Sequence, residues 1–281
     1  MTMTPAYKMA VLAVAALGLA GCSTGKPPAA AAETPVAEAA AVSVYAAGSL
    51  RAVLTTLASA HEARTGQKIA LMFGASGLLR ERIEKGEGAQ VFASADTDNP
   101  RRLAHQGGWH APTVFARNAL CALTSETINA TPATLLATML NPKVRLGTSM
   151  PGDDPAGDYA WALFRQAEAV QQGAYFALNA KALKLTGGAD SPKAPAGRGT
   201  YAWIMDQGQA DVFLTYCTNA VAAQKEVPRL KVVQLPHQLQ VGVTYGLTVR
   251  HGAPQAAADF AQSLLAPPAQ AVFRQLGFGA P

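Results

Sequence analysis

The chain has 281 residues, 49% of them hydrophobic and 15% charged, with a formal net charge of +5 at pH 7. That length supports two modest domains or one large one, and the composition excludes a disordered chain. The positive surplus is spread without any Lys/Arg block, which argues against a dedicated nucleic-acid surface.

The first stretch reads as an address rather than as fold. MTMTPAYK carries one lysine, residues 9–20 are an apolar run, and LAGC closes it at Cys22. The run is too short to span a membrane and polar, Pro-rich sequence follows it, so residues 1–21 read as a secretory signal. LAGC also fits a lipobox, in which Cys22 is acylated and becomes the new N-terminus; ordinary signal cleavage nearby is the alternative. One acyl chain on Cys22 would hold the protein on a membrane surface, outside the cytoplasm, without spanning it. Residues 22–40 (CSTGKPPAAAAETPVAEAA) lack apolar periodicity and read as a disordered tether.

Beyond the tether, strands and helices alternate. VSVYAA reads as a strand, and Leu50, Val53, Leu54 and Leu57 repeat at the spacing of a helix packed on a sheet, with Gly66 as its stop. KIALMFG (68–74) is the next strand. LLRERIEKG follows as a helix with Leu79 and Ile83 inward and Gly86 as its end, then QVFASA (90–95) as a third strand and a helix begun by Pro100. This βαβαβ series predicts parallel strands with right-handed crossovers. A second series holds strands at ALCALT and RLGTS and a helix in PAGDYAWALFRQAEAV with Tyr159, Leu163 and Phe164 inward. A loop follows over 181–195, then a short helix in GTYAWIMDQG and strands DVFLTY, RLKVVQL and VGVTYGLTV. AAADFAQSLL and PAQAVFRQLGF give two final helices.

Outside the signal there are two cysteines, Cys121 and Cys217, in no metal-ligand spacing. They could bridge or remain buried thiols, and sequence alone does not choose. The five histidines show no HxH or HExxH pattern, so no metal site is expected. Ser49 and Ser76 lack the GxSxG context of a hydrolase nucleophile. Asp153, Asp154 and Asp158 read as helix-capping residues rather than a cation site.

Three strand-to-helix junctions share one design: GSL at 48–50, ASGLL at 75–79 and DPAGDY at 154–159. Each sets small residues at a helix start, where backbone N–H groups lack intrahelical partners and the helix dipole is positive. Such a terminus admits an anion. A serine there is also a plain N-cap, so one junction alone says little. Three on one chain favour a shared anionic ligand.

The segments VSVYAAGSL…LMFGASGLLRERIEKGEGAQVFASAD, PGDDPAGDYAWALF and GQADVFLTYCTNA, in that order, resemble the periplasmic molybdate-binding proteins of ABC transporters. The resemblance runs from about Val42 to the C-terminal RQLGFG. It implies an α/β, two-lobed type II periplasmic-binding-protein fold, each lobe a mostly parallel sheet flanked by helices, joined by two crossing strands. Lobe 1 would comprise residues 41–118 plus 245–281, and lobe 2 residues 119–244. The lobes would close on a tetrahedral oxyanion, molybdate or tungstate first among them, and deliver it to a permease with its ATPase.

By motif position, the resemblance assigns hydroxyl and backbone N–H donors to Ser49 and Ser76, a backbone N–H to Ala156 and the phenolic hydroxyl to Tyr216. A fifth position falls on Arg198, where the family usually has a small or aliphatic residue. Its guanidinium could turn outward, leaving only the N–H, or inward as a charged fork. Neither a cofactor nor catalysis is implied, and the protein would act as a monomer. The competing readings are a binder of another oxyanion, or an enzyme or sensing domain on the same fold.

Overall fold

The computed structural model describes residues 40–281; the signal, Cys22 and residues 22–39 of the tether lie outside the described residues. Strand β1 (Val42–Ala47) lies between β2 (Ile69–Gly74) and β3 (Val91–Ser94) and runs parallel to both. Its burial on both faces explains the near-continuous run of small apolar residues in VSVYAA. Helices α1 (Arg51–Thr65) and α2 (Ser76–Glu84) are the two crossovers, and α3 (Asp98–His105) follows β3. Leu50, Val53 and Leu54 are fully enclosed, each contributing roughly 1.5–3 kcal/mol of transfer free energy. Gly66 ends α1 in the left-handed region at φ 73°, which a side chain would resist.

The long strand β4 (Thr113–Thr124) changes partners along its length. Thr113–Ala119 pairs antiparallel with β9 (Gly242–Val249), which in turn pairs antiparallel with β3. From Leu120 to Thr124 it pairs instead with β7 (Val212–Tyr216) and, over Cys121–Thr124, with β8 (Lys231–Gln234). Next to β7 runs β5 (Leu146–Ser149), parallel to it and to β6 (Leu183–Thr186). The spatial order is β2-β1-β3-β9-β4-β7-β5-β6. Each end of this curled sheet is thus a parallel set, and the antiparallel strands β4 and β9 occupy the middle. The mixed α/β fold expected from the sequence is the fold found.

Helices α4 (Leu135–Leu140), α5 (Pro155–Val170), α6 (Ala174–Lys181), α7 (Thr200–Asp206) and α8 (Cys217–Glu226) flank the second strand set. The C-terminal α9 (Gln255–Ser263) and α10 (Pro267–Gln275) return to the first set, where α9 packs on β1, β3 and β9. Buried Gln270 fixes that return by donating to the Phe115 and Leu264 carbonyls at 3.0 and 2.8 Å. The stretch 181–195, expected as loop, contains the end of α6 and all of β6. α3 starts at Asp98, two residues before Pro100.

Cys121 and Cys217 form a disulfide, with Cα atoms 4.8 Å apart. It ties the start of α8 to β4, one residue beyond Tyr216.

Candidate functional site

β1 delivers its chain to α1 through a single 3-10 turn, Gly48–Leu50. The Ser49 hydroxyl caps neither helix. It lies 2.9 Å from the Tyr245 hydroxyl on β9, which also accepts from Asn118 Nδ2 on β4 at 3.3 Å. Asn118 in turn donates to Thr218 Oγ1 at 2.9 Å. Ser49 therefore reaches both antiparallel strands that join the halves of the sheet.

Ser76 begins α2, whose N-cap position is Ala75 and has no side-chain cap. The buried Ser76 hydroxyl accepts instead from the Ala95 N–H at 3.1 Å, which leaves its own proton free to donate. The next residue bridges the two strand sets: Gly77 N–H, in α2, donates to the Asp153 carbonyl, after β5, at 2.8 Å. A Cβ on Gly77 would stand 2.4 Å from the Gly152 oxygen and 2.6 Å from that of Asp153. Only glycine permits this approach.

Helix α5 opens the third junction. Asp154 is its N-cap, and the Asp154 Oδ1 accepts from the Ala156 N–H at 3.1 Å. The backbone donor expected to await a ligand is thus already engaged by a carboxylate. Asp158, from the first turn of α5, reaches back to accept from Gly152 N–H at 2.9 Å. Gly157 presses α5 against the end of β5, where a Cβ would stand 2.7 Å from the Ser149 oxygen.

Tyr216 ends β7 and its side chain is buried, yet among the described residues its hydroxyl has no well-formed hydrogen bond; the same holds for the Ser149 hydroxyl at the end of β5. Two such orphans are costly unless something else satisfies them. The Tyr216 ring lies 5.7 Å from that of Tyr245 and 6.2 Å from that of Tyr159. Ser49 and Tyr216 therefore both meet Tyr245, Tyr216 feels the charge of Asp154, and Ser76 precedes the glycine whose N–H reaches Asp153.

Burial sets the electrostatics here. It pushes Tyr159 and Tyr201 up to about 12, and raises Tyr216 and Tyr245 further, with Asp154 adding to the effect on Tyr201 and Tyr216. These phenols keep their protons at any ordinary pH, so they remain donors. The same burial raises Asp154 to about 6. The Ala156 N–H and the nearby Ser149 hydroxyl pull it down, while Asp158 and Asp96 push it up.

Arg198 is not brought to the others. Its guanidinium turns outward to Glu226, through Nε at 2.5 Å, and to Asp206, through Nη2 at 3.0 Å. Its N–H donates to the Pro195 carbonyl at 3.0 Å. The two carboxylates hold the arginine together, and none of its hydrogen bonds reaches Ser49, Ser76, Ala156 or Tyr216.

Sequence reasoning missed Tyr245, Asn118 and Ser149 as neighbours of the site, and it read Asp154 only as a cap. Tyr245 is 196 residues from Ser49, a pairing that no local pattern encodes. The signal for Asp154 was present in DPAG, because an N-cap side chain necessarily shares the space of an incoming anion.

The model of the bacterial extracellular solute-binding protein family matches residues 42–279. The uncharacterized protein PM1146 of Pasteurella multocida is 35% identical over 205 residues, 73% of this chain and 85% of its own. Molybdate-binding protein ModA of Azotobacter vinelandii is 35% identical over 79 residues, 28% of this chain and 31% of that protein. Among solved structures, the Azotobacter vinelandii periplasmic molybdate-binding protein superposes with TM-score 0.65 at 19% identity, covering 85% of this chain and 99% of that one. The sulfate-binding protein SubI of Mycobacterium tuberculosis gives 0.69 at 17%, over 85% and 86%. PEB3 with L-phospholactate bound, a protein known from Campylobacter jejuni, gives 0.66 at 17%, over 85% and 100%. The chain belongs to the bacterial extracellular solute-binding proteins and has the type II periplasmic-binding-protein fold of the molybdate-binding members.

Proposed function

We propose that this solute-binding protein captures a small tetrahedral oxyanion between its lobes and passes it to the permease of an ABC transporter. The single observation that carries the reading is the buried, unpartnered Tyr216 hydroxyl. It sits among other protonated phenols, Tyr245, Tyr159 and Tyr201. A ligand that accepts from Tyr216, Ser49 and Ser76 would satisfy these groups together through charge-assisted hydrogen bonds. Because the donors come from both lobes, the ligand would hold the closed form, which is the form a permease can distinguish.

Molybdate and tungstate are the first candidates on the strength of the family resemblance. A different oxyanion is the second reading, and a specific observation favours it: the Asp154 carboxylate occupies the Ala156 N–H. Capture without turnover is expected, with no cofactor, and Cys22 would supply the membrane anchor if acylated.

A thermal-shift panel with molybdate, tungstate, sulfate, phosphate and chromate at equal concentration tests the reading. A ligand present at a hundred times its Kd stabilises the protein by about 2.7 kcal/mol. No stabilisation by any of the five would overturn oxyanion capture.

A further inference from the structure

The donors at the site are accompanied by one acceptor that an oxyanion site can do without. Asp154 stands at the start of the 16-residue α5, where the dipole favours its charge. Its carboxylate has one well-formed hydrogen bond, from the Ala156 N–H. Gly187 crowds it from the end of β6: a Cβ there would stand 2.7 Å from Asp154 Oδ2.

The groups facing Asp154 come from every element around it. They are the Ser149 hydroxyl from β5, Asp158 from α5, Tyr201 from α7, Tyr216 from β7, and Asp96 from the loop after β3. No lysine or arginine is among them. The Asp96 carboxylate is already satisfied by Ser94 and by Asn99, through both its backbone and its side-chain amide. Asp158 is exposed and accepts from Gly152 N–H, so Asp154 is the inward carboxylate left with accepting capacity. Beside it are the orphan Tyr216 hydroxyl and the Ser149 hydroxyl, which also lies near enough to Asp154 to lower it; both are buried and can donate to a ligand.

We propose that Asp154 reads a proton on the ligand, so that the site takes a tetrahedral oxyanion carrying an O–H, the chemistry of hydrogen phosphate or a singly protonated phosphate ester, over one with no proton to give. The inference rests on the oxyanion reading above and narrows it. A protonated oxyanion offers Asp154 a donor and offers Tyr216, Ser149 and Ser76 its acceptors, so every group is matched. Sulfate or molybdate of the same shape would meet Asp154 oxygen to oxygen, and like charges at that separation repel strongly away from bulk water. Discrimination of this kind is large because the wrong ligand leaves a buried polar group unpaired.

The test is calorimetric titration of the full chain at pH 7.5 with inorganic phosphate, methyl phosphate, sulfate and molybdate, repeated with Asp154→Asn and Asp154→Ser. Both variants can still cap α5, so they keep the fold. The wild type should bind phosphate or methyl phosphate at least about tenfold more tightly than sulfate and molybdate. The preferred phosphate probe then tells a free oxyanion from an esterified group. Both variants should erase or invert that preference, chiefly by gaining sulfate affinity. A wild type that prefers molybdate or sulfate would overturn the proposal and leave oxyanion capture standing. So would a phosphate-to-sulfate ratio that stays within threefold of the wild-type value in both variants. Binding of none of the four probes by any of the proteins would overturn both readings.

Discussion

The Gly77 N–H, from the first strand set, and the Asp153 carbonyl, from the second, meet at 2.8 Å, and no side chain fits between them. In the closure proposed above, this contact would depend on the absence of a single carbon. Gly77→Ala would place its Cβ 2.4 Å from a backbone oxygen that cannot rotate away. Full closure should be blocked without unfolding either lobe. The expected result is a loss of ligand affinity of roughly tenfold to a hundredfold, the cost of displacing the closed state by one or two decades. Small-angle scattering should show the ligand-saturated variant more extended than the ligand-saturated wild type. Equal affinities and equal radii would remove Gly77 from the closing mechanism.

Tyr216→Phe separates binding from stability. In the ligand-free protein the hydroxyl is a buried orphan, so its removal should leave stability unchanged or raise it by up to about 1 kcal/mol. Oxyanion affinity should fall by about tenfold or more, since a hydrogen bond to a charged group is lost. Urea unfolding and calorimetry on the same preparations check both. A variant that loses stability and keeps affinity would show the hydroxyl to be structural.

The contrast between Tyr216 and its neighbours shows what the sequence could say. The first βαβαβ series was legible because its stripes are strong. Leu50, Val53 and Leu54 stand at helical spacing, and Gly66 and Gly86 mark the ends with φ of 73° and 98°. The later helices were harder for physical reasons. α8 buries only Ala220 and Ala223, too small to make a stripe. α6 exposes Phe176 at 73%, which breaks the pattern an amphipathic helix needs. β6 is a short edge strand with Leu183 and Lys184 both outward. Of the site, the junction residues could be reached by motif position. The partners of Ser49 and Tyr216 could not, because β4 and β9 bring them from distant parts of the chain.

The disulfide bears on the same region. Cys121 and Cys217 are separated by 96 residues, so opening the bond releases a long loop in the unfolded chain, worth roughly 2–5 kcal/mol of stability. The double variant Cys121→Ser/Cys217→Ser should therefore unfold at lower urea. It should also bind more weakly, because Cys217 directly follows Tyr216. Unchanged stability of the double variant, matched by no effect of a reductant on the wild type, would show the bond to be dispensable.

Arg198→Ala should do little to binding. The guanidinium is partly exposed and engaged with Asp206 and Glu226, so its removal breaks solvent-screened ion pairs that contribute little to stability. Oxyanion affinity should stay within threefold by calorimetry. A loss beyond tenfold would mean that the arginine turns toward the ligand in the bound protein.

Asp154 gives a pH dependence with a definite sign. Burial first, and then its acidic neighbours, raise it from 3.8 to about 6 in the folded protein. Folding therefore favours its protonated form. The associated stability is fully present below pH 4 and is lost as pH rises through about 6. Asp154→Asn is neutral throughout and keeps the cap, so its advantage over the wild type should be near zero at pH 4. It should grow to as much as about 3 kcal/mol by pH 7.5, two pKa units' worth. Urea midpoints of both ligand-free proteins at pH 4, 5, 6, 7 and 7.5 measure the gap, and titrating groups that do not interact with Asp154 cancel in the difference. A gap that stays flat across the series would mean that the carboxylate is solvated in the open cleft and carries no penalty to relieve.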